Sequence, residues 1–347
     1  MEIKNFDDLP VTTMTVIVAL SGKVNIKAVH HFLPITLIEV SCSKNASKCK
    51  LPHVKTPNNL ITVASSEGVR GIVKSHKAPF KNSVSIDVST SIKNVNLKLA
   101  PNTMQMCGAI SLEHAREAAN YIINHINHCQ KFVNKINENP TLFMNTVNWV
   151  KRHSRGELDE SDPDQKEYSV VMPESTVPDD VSGELVEFLM SYPLSDVKHH
   201  SVLCAKLSFI QKLKDLVEEP IKIQKISEAM INYNFSLGFL VNRSMLNQKM
   251  NKRRSCDCDR KCECPAFISR YNNALSNNVT VELPYKRGPN DHIPKRREND
   301  VPRHTFLVYK SGSVTLSSKN QKEMKIAYYK FMKSIKNIKD QITLIGK

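Results

Sequence analysis

Alternating apolar and polar positions recur in two distant stretches of this chain and predict the same elements in both. Residues 97–126 (LKLAPNTMQMCGAISLEHAREAANYIINHI) and 307–335 (LVYKSGSVTLSSKNQKEMKIAYYKFMKSI) each hold an alternating run, a polar turn at Asn102 or Gly312, a second short run and an amphipathic stretch. Alternation is typical of a half-buried strand, whereas apolar residues spaced three and four apart are typical of a helix. Each stretch therefore predicts two strands joined by a turn, and then a helix.

The two stretches also align with each other, which indicates an internal duplication. The matched apolar positions are Leu99 with Tyr309, Met104 with Val314, Ala118 with Ala327 and Ile126 with Ile335. Self-similarity over a long period is the signature of a repeated structural unit. A duplicated sheet-and-helix unit predicts a saddle-like surface that is too large for one copy to form.

The first half of the chain contains further elements of this unit. Val11–Leu20 is apolar and β-branched and predicts a strand, and Asn25 is a good cap for a helix that ends before Pro34. Ser111 opens a second helix, which reaches about His128. Three more strands are expected between these helices, at 83–89, 94–99 and 103–107.

The second half shows the same order of elements. A strand begins near Ile226, and its alternation puts Met230, Asn232 and Asn234 on one face of the sheet. Asn242 then caps a helix, as Asn25 does in the first half. Strands at 279–283, 304–309 and 313–317 precede the closing helix. The repeat unit is therefore β-α-β-β-β-β-α or close to it, twice.

Composition divides the chain into three parts. Residues 1–128 form the first saddle repeat, with an irregular insertion at 41–79. Residues 129–224 form an acidic linker and helical insertion. Residues 225–347 form the second saddle repeat, with a cysteine-rich insertion at 251–265.

The middle part has helix-like pieces at 141–153 and 201–219, and most of its acidic residues lie in 157–187. An acidic block in a basic chain is a solvated spacer, or it masks a basic surface in competition with nucleic acid. Charge patterning alone does not separate the two.

The net charge favours a polyanionic partner. Forty-nine Lys and Arg against 34 Asp and Glu give +15, which points first to nucleic acid, although solubility alone or a lysine-rich genome would also explain it. No stretch approaches the roughly 18 apolar residues that a membrane span needs. The acidic start, MEIKNFDDLP, lacks the layout of a secretory signal. We expect an intracellular protein without a membrane partner.

Four of the nine cysteines crowd into one short segment: Cys256, Cys258, Cys262 and Cys264. Four thiolates can hold a tetrahedral structural zinc, although C-x-C spacing is tighter than usual, and a loop of free cysteines is the alternative. Four protein ligands would close the site, which argues against a catalytic metal. No H-E-x-x-H, glycine-rich phosphate loop or G-x-S-x-G motif occurs. We therefore expect no enzymatic activity and no required cofactor, with zinc as a structural candidate.

Four blocks of the chain, taken in order, resemble the TATA-box-binding protein family. They are TVIVALSGKVNIKAV, LKLAPNTMQMCGA with the helix start at Cys107–Ala119, INYNFSLGFLVNRSML and FLVYKSGSVTLSS, which cover about half of the chain. The resemblance implies an α+β fold in which two repeats form a curved antiparallel sheet, the saddle, with helices on its convex face. The large insertions on an Asn- and Lys-rich background look most like divergent TATA-binding-protein-like factors of giant DNA viruses.

The resemblance also implies a DNA-binding face. In this family the concave sheet binds the minor groove, where apolar wedges kink the duplex and polar side chains contact A·T edges. Leu99 and Tyr309 match wedge positions. The other wedge of each repeat falls near Ser83 or Val84 and near Ser276, none of them aromatic. Further positions that match the concave face are Thr13, Thr15, Gln105, Cys107, Met230, Asn232, Asn234, Thr315 and Ser317.

On this basis we expect a transcription initiation factor that binds AT-rich promoter DNA and recruits general transcription factors or RNA polymerase subunits. The lysines of the closing helix are a partner surface or a solvated face, and the basic loop at 286–303 is a phosphate-contacting arm or a localisation signal. A viral protein would act in the host cytoplasm (the viral factory) or the virion, and otherwise in the nucleus. The alternative function is a saddle-fold protein-interaction scaffold that has lost sequence-specific DNA binding.

Overall fold

The structure is a computed structural model, and it describes residues 3–33, 59–66, 68–71, 82–153, 155–157, 169–171, 178–191, 215–252, 267–272, 276–285, 301–319 and 321–344. The fold is α+β, with a mostly antiparallel open sheet and several helices. The chain divides into two compact units. The N-terminal unit is Val16–Ser227, and the C-terminal unit combines Met1–Thr15 with Glu228–Lys347.

Eight strands and four helices are described before residue 192, after a 3-10 turn at Phe6–Asp8. The strands are β1 Val11–Leu20, β2 Asn59–Ser65, β3 Gly68–Gly71, β4 Val84–Ser89, β5 Val95–Ala100, β6 Thr103–Ala109, β7 Arg155–Glu157 and β8 Ser169–Val171. The helices are α1 Ile26–Phe32, α2 Leu112–Glu138, α3 Pro140–His153 and α4 Gly183–Ser191.

Five strands and two helices are described in the rest of the chain. The strands are β9 Ile223–Ser236, β10 Ile268–Arg270, β11 Asn278–Pro284, β12 Arg303–Tyr309 and β13 Ser313–Ser318. The helices are α5 Arg243–Lys252 and α6 Gln321–Ile342. Within the described parts of the chain, no helix has the length and apolar character to cross a membrane.

An aromatic cluster holds α6 against the sheet of the C-terminal unit. The strand order there is β10-β11-β12-β13-β9, and every neighbouring pair is antiparallel. Phe331 of α6 stacks on Phe306 of β12 with ring centroids 4.1 Å apart, and it also contacts Phe235 of β9 at 6.3 Å. Side chains alternate across a strand, so the residues beside Phe306 lie on the other face of the sheet.

The N-terminal unit pairs its strands in the order β1-β6-β5-β4-β2-β3, and α2 contacts β6. Helix α2 buries Ala115, Ala118, Ala119 and Ile122 completely. The three alanines have small side chains, which let the helix lie close to the buried face of the strands. The hairpin β7–β8 forms a separate two-stranded sheet.

The turn from the first strand to the first helix is built with matching hydrogen bonds in both units. In the N-terminal unit the backbone N–H groups of Leu20, Val24 and Asn25 donate to the carbonyls of Asn102, Pro101 and Leu216 at 3.0, 2.6 and 2.7 Å. In the C-terminal unit those of Leu237, Val241 and Asn242 donate to the carbonyls of Gly312, Lys310 and Ile342 at 2.9, 2.9 and 2.7 Å. The same local construction therefore occurs twice along the chain.

The predicted helix starts are confirmed. Asn25 Oδ1 accepts from the Ala28 N–H at 3.2 Å, Ser111 Oγ from the His114 N–H at 3.0 Å, and Asn242 Oδ1 from the Met245 N–H at 3.1 Å. Each bond satisfies one of the backbone donors that a helix leaves unpaired in its first turn.

Two expectations about extent are wrong. The segment 41–79 is not irregular throughout, because β2 and β3 pair within it and β2 also pairs with β4. Helix α2 does not stop near His128, because buried Phe132 and Val133 extend its apolar face to Glu138. The predicted helix at 141–153 is confirmed by α3, whereas the piece at 201–219 lies largely outside the described residues.

Candidate nucleic-acid interface

The C-terminal unit has one sheet face that α6 does not cover, here called the C-terminal open face. On β12 and β13, His304, Phe306, Val308, Val314 and Leu316 are buried, and the residues between them point the other way. The open face comprises Met230, Asn232, Asn234, Ile268, Arg270, Asn278, Thr280, Glu282, Arg303, Thr305, Leu307, Tyr309, Ser313, Thr315 and Ser317. The first part of β1, up to Thr15, also belongs to this unit. Thr13 and Thr15 are partly exposed there, on the face of the strand that is not buried.

Strand register arranges these side chains in two rows across the sheet. One row consists of Glu282, Thr305, Ser317 and Asn232, and the next of Thr280, Leu307, Thr315 and Asn234. Neighbouring strands lie about 4.8 Å apart, so side chains in one row are close neighbours. The predicted pairs Asn232 with Asn234 and Thr315 with Ser317 are therefore brought together in one uncharged, hydrogen-bonding patch.

Asn232 has an unsatisfied group within this patch. Its Oδ1 is buried, and it has no hydrogen-bond partner among the described residues. A buried polar atom without a partner costs about 1 to 3 kcal/mol, which a ligand that donates a hydrogen bond to this oxygen would recover.

Two larger side chains accompany the polar rows. Met230 is 38% exposed. Tyr309 is the last residue of β12 and is partly exposed on the open face, as its predicted wedge role requires. The patch therefore combines uncharged hydrogen-bonding groups with apolar contact surface.

The N-terminal unit has a corresponding open face on β5 and β6. Gln105 and Cys107 are both exposed there, and their partners across the hairpin are Lys98 and Asn96. Asn96 donates from Nδ2 to Oδ1 of Asp87 on β4 at 3.0 Å. This face therefore carries a lysine on β5 and a buried carboxylate on β4.

Leu99 is not on either open face, and its predicted role as a wedge is wrong. It is 0% exposed and lies across the hairpin from buried Met104. The reason is turn length, since two residues join β5 to β6, whereas three join β12 to β13. The extra residue shifts the alignment before the turn by one position, so Ala100, and not Leu99, takes the place of Tyr309.

Sequence reasoning missed several open-face residues. Asn96 and Lys98 alternate with Leu97 and Leu99, and this polar contrast already predicts which face of β5 is buried. Leu307 gives no such contrast, because both of its neighbours along β12 are apolar.

The outer strands carry the charges of the C-terminal open face. Glu282 Oε2 accepts from Arg303 Nη1 at 2.9 Å and lies 3.4 Å from Arg270 Nη2. On the opposite face His304 is buried and stacks on Tyr285 at 4.4 Å, and burial lowers its pKa to about 4. His304 is therefore neutral at pH 7, and the charge of this region comes from the two arginines and one glutamate.

The predicted zinc ligands Cys256, Cys258, Cys262 and Cys264 lie outside the described residues. In the part of the chain that the structure does describe, no group of three or more His, Cys, Asp or Glu side chains is placed to hold a metal. The zinc site stays a prediction.

No protein-family model matches the chain, and no curated protein matches it. Among solved structures the chain is similar to Methanococcus jannaschii TBP, with a TM-score of 0.35, 10% identity, and coverage of 95% of this chain and 99% of that one.

Proposed function

We propose that this protein is a DNA-binding factor of transcription initiation, which contacts the minor groove of AT-rich promoter DNA through the C-terminal open face. The observation that carries this proposal is the uncharged patch of Asn232, Asn234, Thr315 and Ser317 on two paired strands. The minor groove of A·T pairs offers only acceptor atoms, N3 of adenine and O2 of thymine. Amide and hydroxyl groups donate hydrogen bonds to such acceptors without carrying charge.

Deformation of the duplex is the second part of the proposal. Proteins that bind the minor groove insert apolar side chains between base steps and bend the DNA. Tyr309, at the end of β12, and exposed Met230 provide such surface. The net charge of +15 supports association with the phosphate backbone.

Recruitment of the transcription machinery is assigned to the outer face of α6. Lys322, Lys330, Lys333 and Lys336 are exposed there, together with Ile326, which is a large apolar side chain. A basic helix face with apolar residues suits an acidic protein partner. The sequence resemblance of four blocks to the TATA-box-binding protein family supports this assignment.

Competition with a minor-groove ligand tests the proposal. Binding of the full chain to a fluorescent AT-rich duplex should weaken when a small molecule that fills the minor groove is added. The double variant Asn232→Ala, Asn234→Ala should bind several-fold more weakly, whereas Asn337→Ala on the exposed side of α6 should bind like wild type. Binding that is insensitive to the minor-groove ligand would refute groove contact.

The alternative function is a protein-interaction scaffold, and one observation favours it. Asp87 and Glu282 occupy the same register position in the two units, so each open face carries a carboxylate. Carboxylates repel a phosphate backbone unless a cation offsets them. A scaffold would show no measurable affinity for duplex DNA at low salt.

A further inference from the structure

Three charged side chains meet at the outer edge of the C-terminal open face. Arg270 lies on β10, Glu282 on β11 and Arg303 on β12, so three consecutive strands contribute one residue each. Both guanidinium groups approach the same carboxylate oxygen, Oε2, at 3.4 Å for Arg270 and 2.9 Å for Arg303. We call this group the Arg-Glu-Arg cluster.

The cluster retains one positive charge and many hydrogen-bond donors. Two arginines and one glutamate sum to one positive charge, and each guanidinium has five N–H donors. Glu282 is the least accessible member, with its side chain 16% exposed, whereas Arg303 is 34% and Arg270 64% exposed. The carboxylate therefore lies beneath two guanidinium groups that solvent can reach.

One donor in the cluster is unsatisfied. Arg303 Nε is buried and has no hydrogen-bond partner among the described residues. An unmade bond to a charged donor is costly, and phosphate oxygens are strong acceptors whose geometry matches the guanidinium fork. Anchoring by Glu282 also holds the side chain in place, which reduces the entropy lost when a ligand binds.

We propose that the Arg-Glu-Arg cluster binds a phosphate of the DNA backbone, with Glu282 as the residue that orients both arginines. This proposal rests on the proposed function, because the same open face carries the polar rows. Glu282 and Asn232 lie in one row, three inter-strand spacings or about 14 Å apart. The minor groove is only about 6 Å wide, so a duplex whose groove lies over Asn232 extends its backbone over the outer strands.

Backbone contact predicts a specific salt dependence. Each neutralised phosphate contributes about 0.9 to the slope of log K against log salt concentration. Arg270→Gln and Arg303→Gln should each reduce the slope by up to that amount, so the loss of affinity between 50 and 200 mM salt becomes about 3.5-fold smaller. Arg303→Lys keeps the charge and should restore most of the slope.

Glu282→Gln distinguishes phosphate binding from a structural ion pair. Removal of the carboxylate adds one positive charge to the cluster, while the amide oxygen of glutamine can still accept from the Arg303 guanidinium and keep it oriented. DNA affinity at low salt should therefore rise and the slope should steepen. A merely structural pair would give unchanged or weaker binding. Lys131→Gln, at an exposed lysine on α2, is the matched charge control and should leave the slope unchanged. Thermal unfolding of each variant checks that it is folded.

The salt titration uses the full chain and a fluorescent duplex, with poly-glutamate as a competing polyanion. Unchanged slopes in the arginine variants, with wild-type DNA binding intact, would overturn the cluster's role and leave the proposed function standing. Poly-glutamate binding that is lost in the arginine variants while DNA binding persists would assign the cluster to an acidic protein. Absence of wild-type DNA binding at low salt would overturn both proposals.

Discussion

The hairpin loop between β12 and β13 depends on Gly312, and comparison with Gly238 allows its role to be measured. Both glycines have positive φ, +83° and +78°, so alanine at either position takes a backbone conformation that costs about 1 to 2 kcal/mol. Their surroundings differ. A Cβ at Gly312 would overlap the carbonyl oxygen of Phe239 and lie 3.2 Å from its carbon, whereas a Cβ at Gly238 meets nothing within 4 Å.

The two substitutions should therefore differ in magnitude. Gly238→Ala should lower the free energy of unfolding by about 1 kcal/mol, because the less flexible unfolded chain offsets part of the cost. Gly312→Ala must also move the loop away from Phe239, and this displacement should break or weaken two hydrogen bonds. The Leu237 N–H donates to the Gly312 carbonyl at 2.9 Å, and the Gly312 N–H donates to the Tyr309 carbonyl at 3.0 Å. These bonds contribute about 1 kcal/mol each, in addition to the backbone cost of about 1 kcal/mol, so the free energy of unfolding should fall by about 3 kcal/mol in total.

Urea denaturation followed by far-UV circular dichroism measures both values, and amide hydrogen exchange at Val314 reports on the hairpin itself. Equal losses of stability in the two variants would refute the close approach of Gly312 to Phe239.

Further substitutions test the placement of single side chains. Leu99→Ala should lower the free energy of unfolding by about 2 to 5 kcal/mol, because the side chain is fully buried, and the bend of bound DNA should not change. Tyr309→Ala should cause little loss of stability but a smaller bend of the bound DNA, measured by energy transfer between the ends of a labelled duplex. A smaller bend in Leu99→Ala, or a large loss of stability in Tyr309→Ala, would contradict these placements. Burial lowers the pKa of His304 from 6.5 to about 4. Between pH 6.5 and 4 the unfolded chain therefore binds more protons than the folded protein, so stability should fall as the pH drops through this range. His304→Phe should make stability less dependent on pH over this range. A smaller dependence of the same sign should remain from His125, whose pKa is also lowered to about 4 by burial and by nearby His128. An unaltered pH profile would show that His304 is not buried in the folded protein.

Local signals predicted much of each unit. Asn25 and Asn242 cap their helices because a short side-chain oxygen is the best partner for an unpaired backbone N–H. The alternation around Asn232 correctly predicted that it shares a face with Asn234, because residues two positions apart in a strand lie on the same side of the sheet.

Features that depend on distant contacts were not predictable. The extra residue before Gly312 changes the register of one hairpin relative to the other, and only strand pairing shows that Leu99 is therefore buried. The meeting of Arg270 with Glu282 and Arg303 depends on strand pairing between residues far apart in the sequence. Charge and composition report nothing about such pairing.

The central claim is that the C-terminal open face contacts the minor groove of AT-rich DNA. The most direct test is a titration at low salt that compares the affinity of the full chain for an AT-rich duplex with its affinity for a GC-rich duplex of equal length. Minor-groove contact through the uncharged patch of Asn232, Asn234, Thr315 and Ser317 predicts tighter binding to the AT-rich duplex, because the exocyclic amino group of guanine projects into the groove of G·C pairs. It also predicts that this preference is reduced in the Asn232→Ala, Asn234→Ala variant. Equal affinity for both duplexes, or no binding to either, would contradict the account.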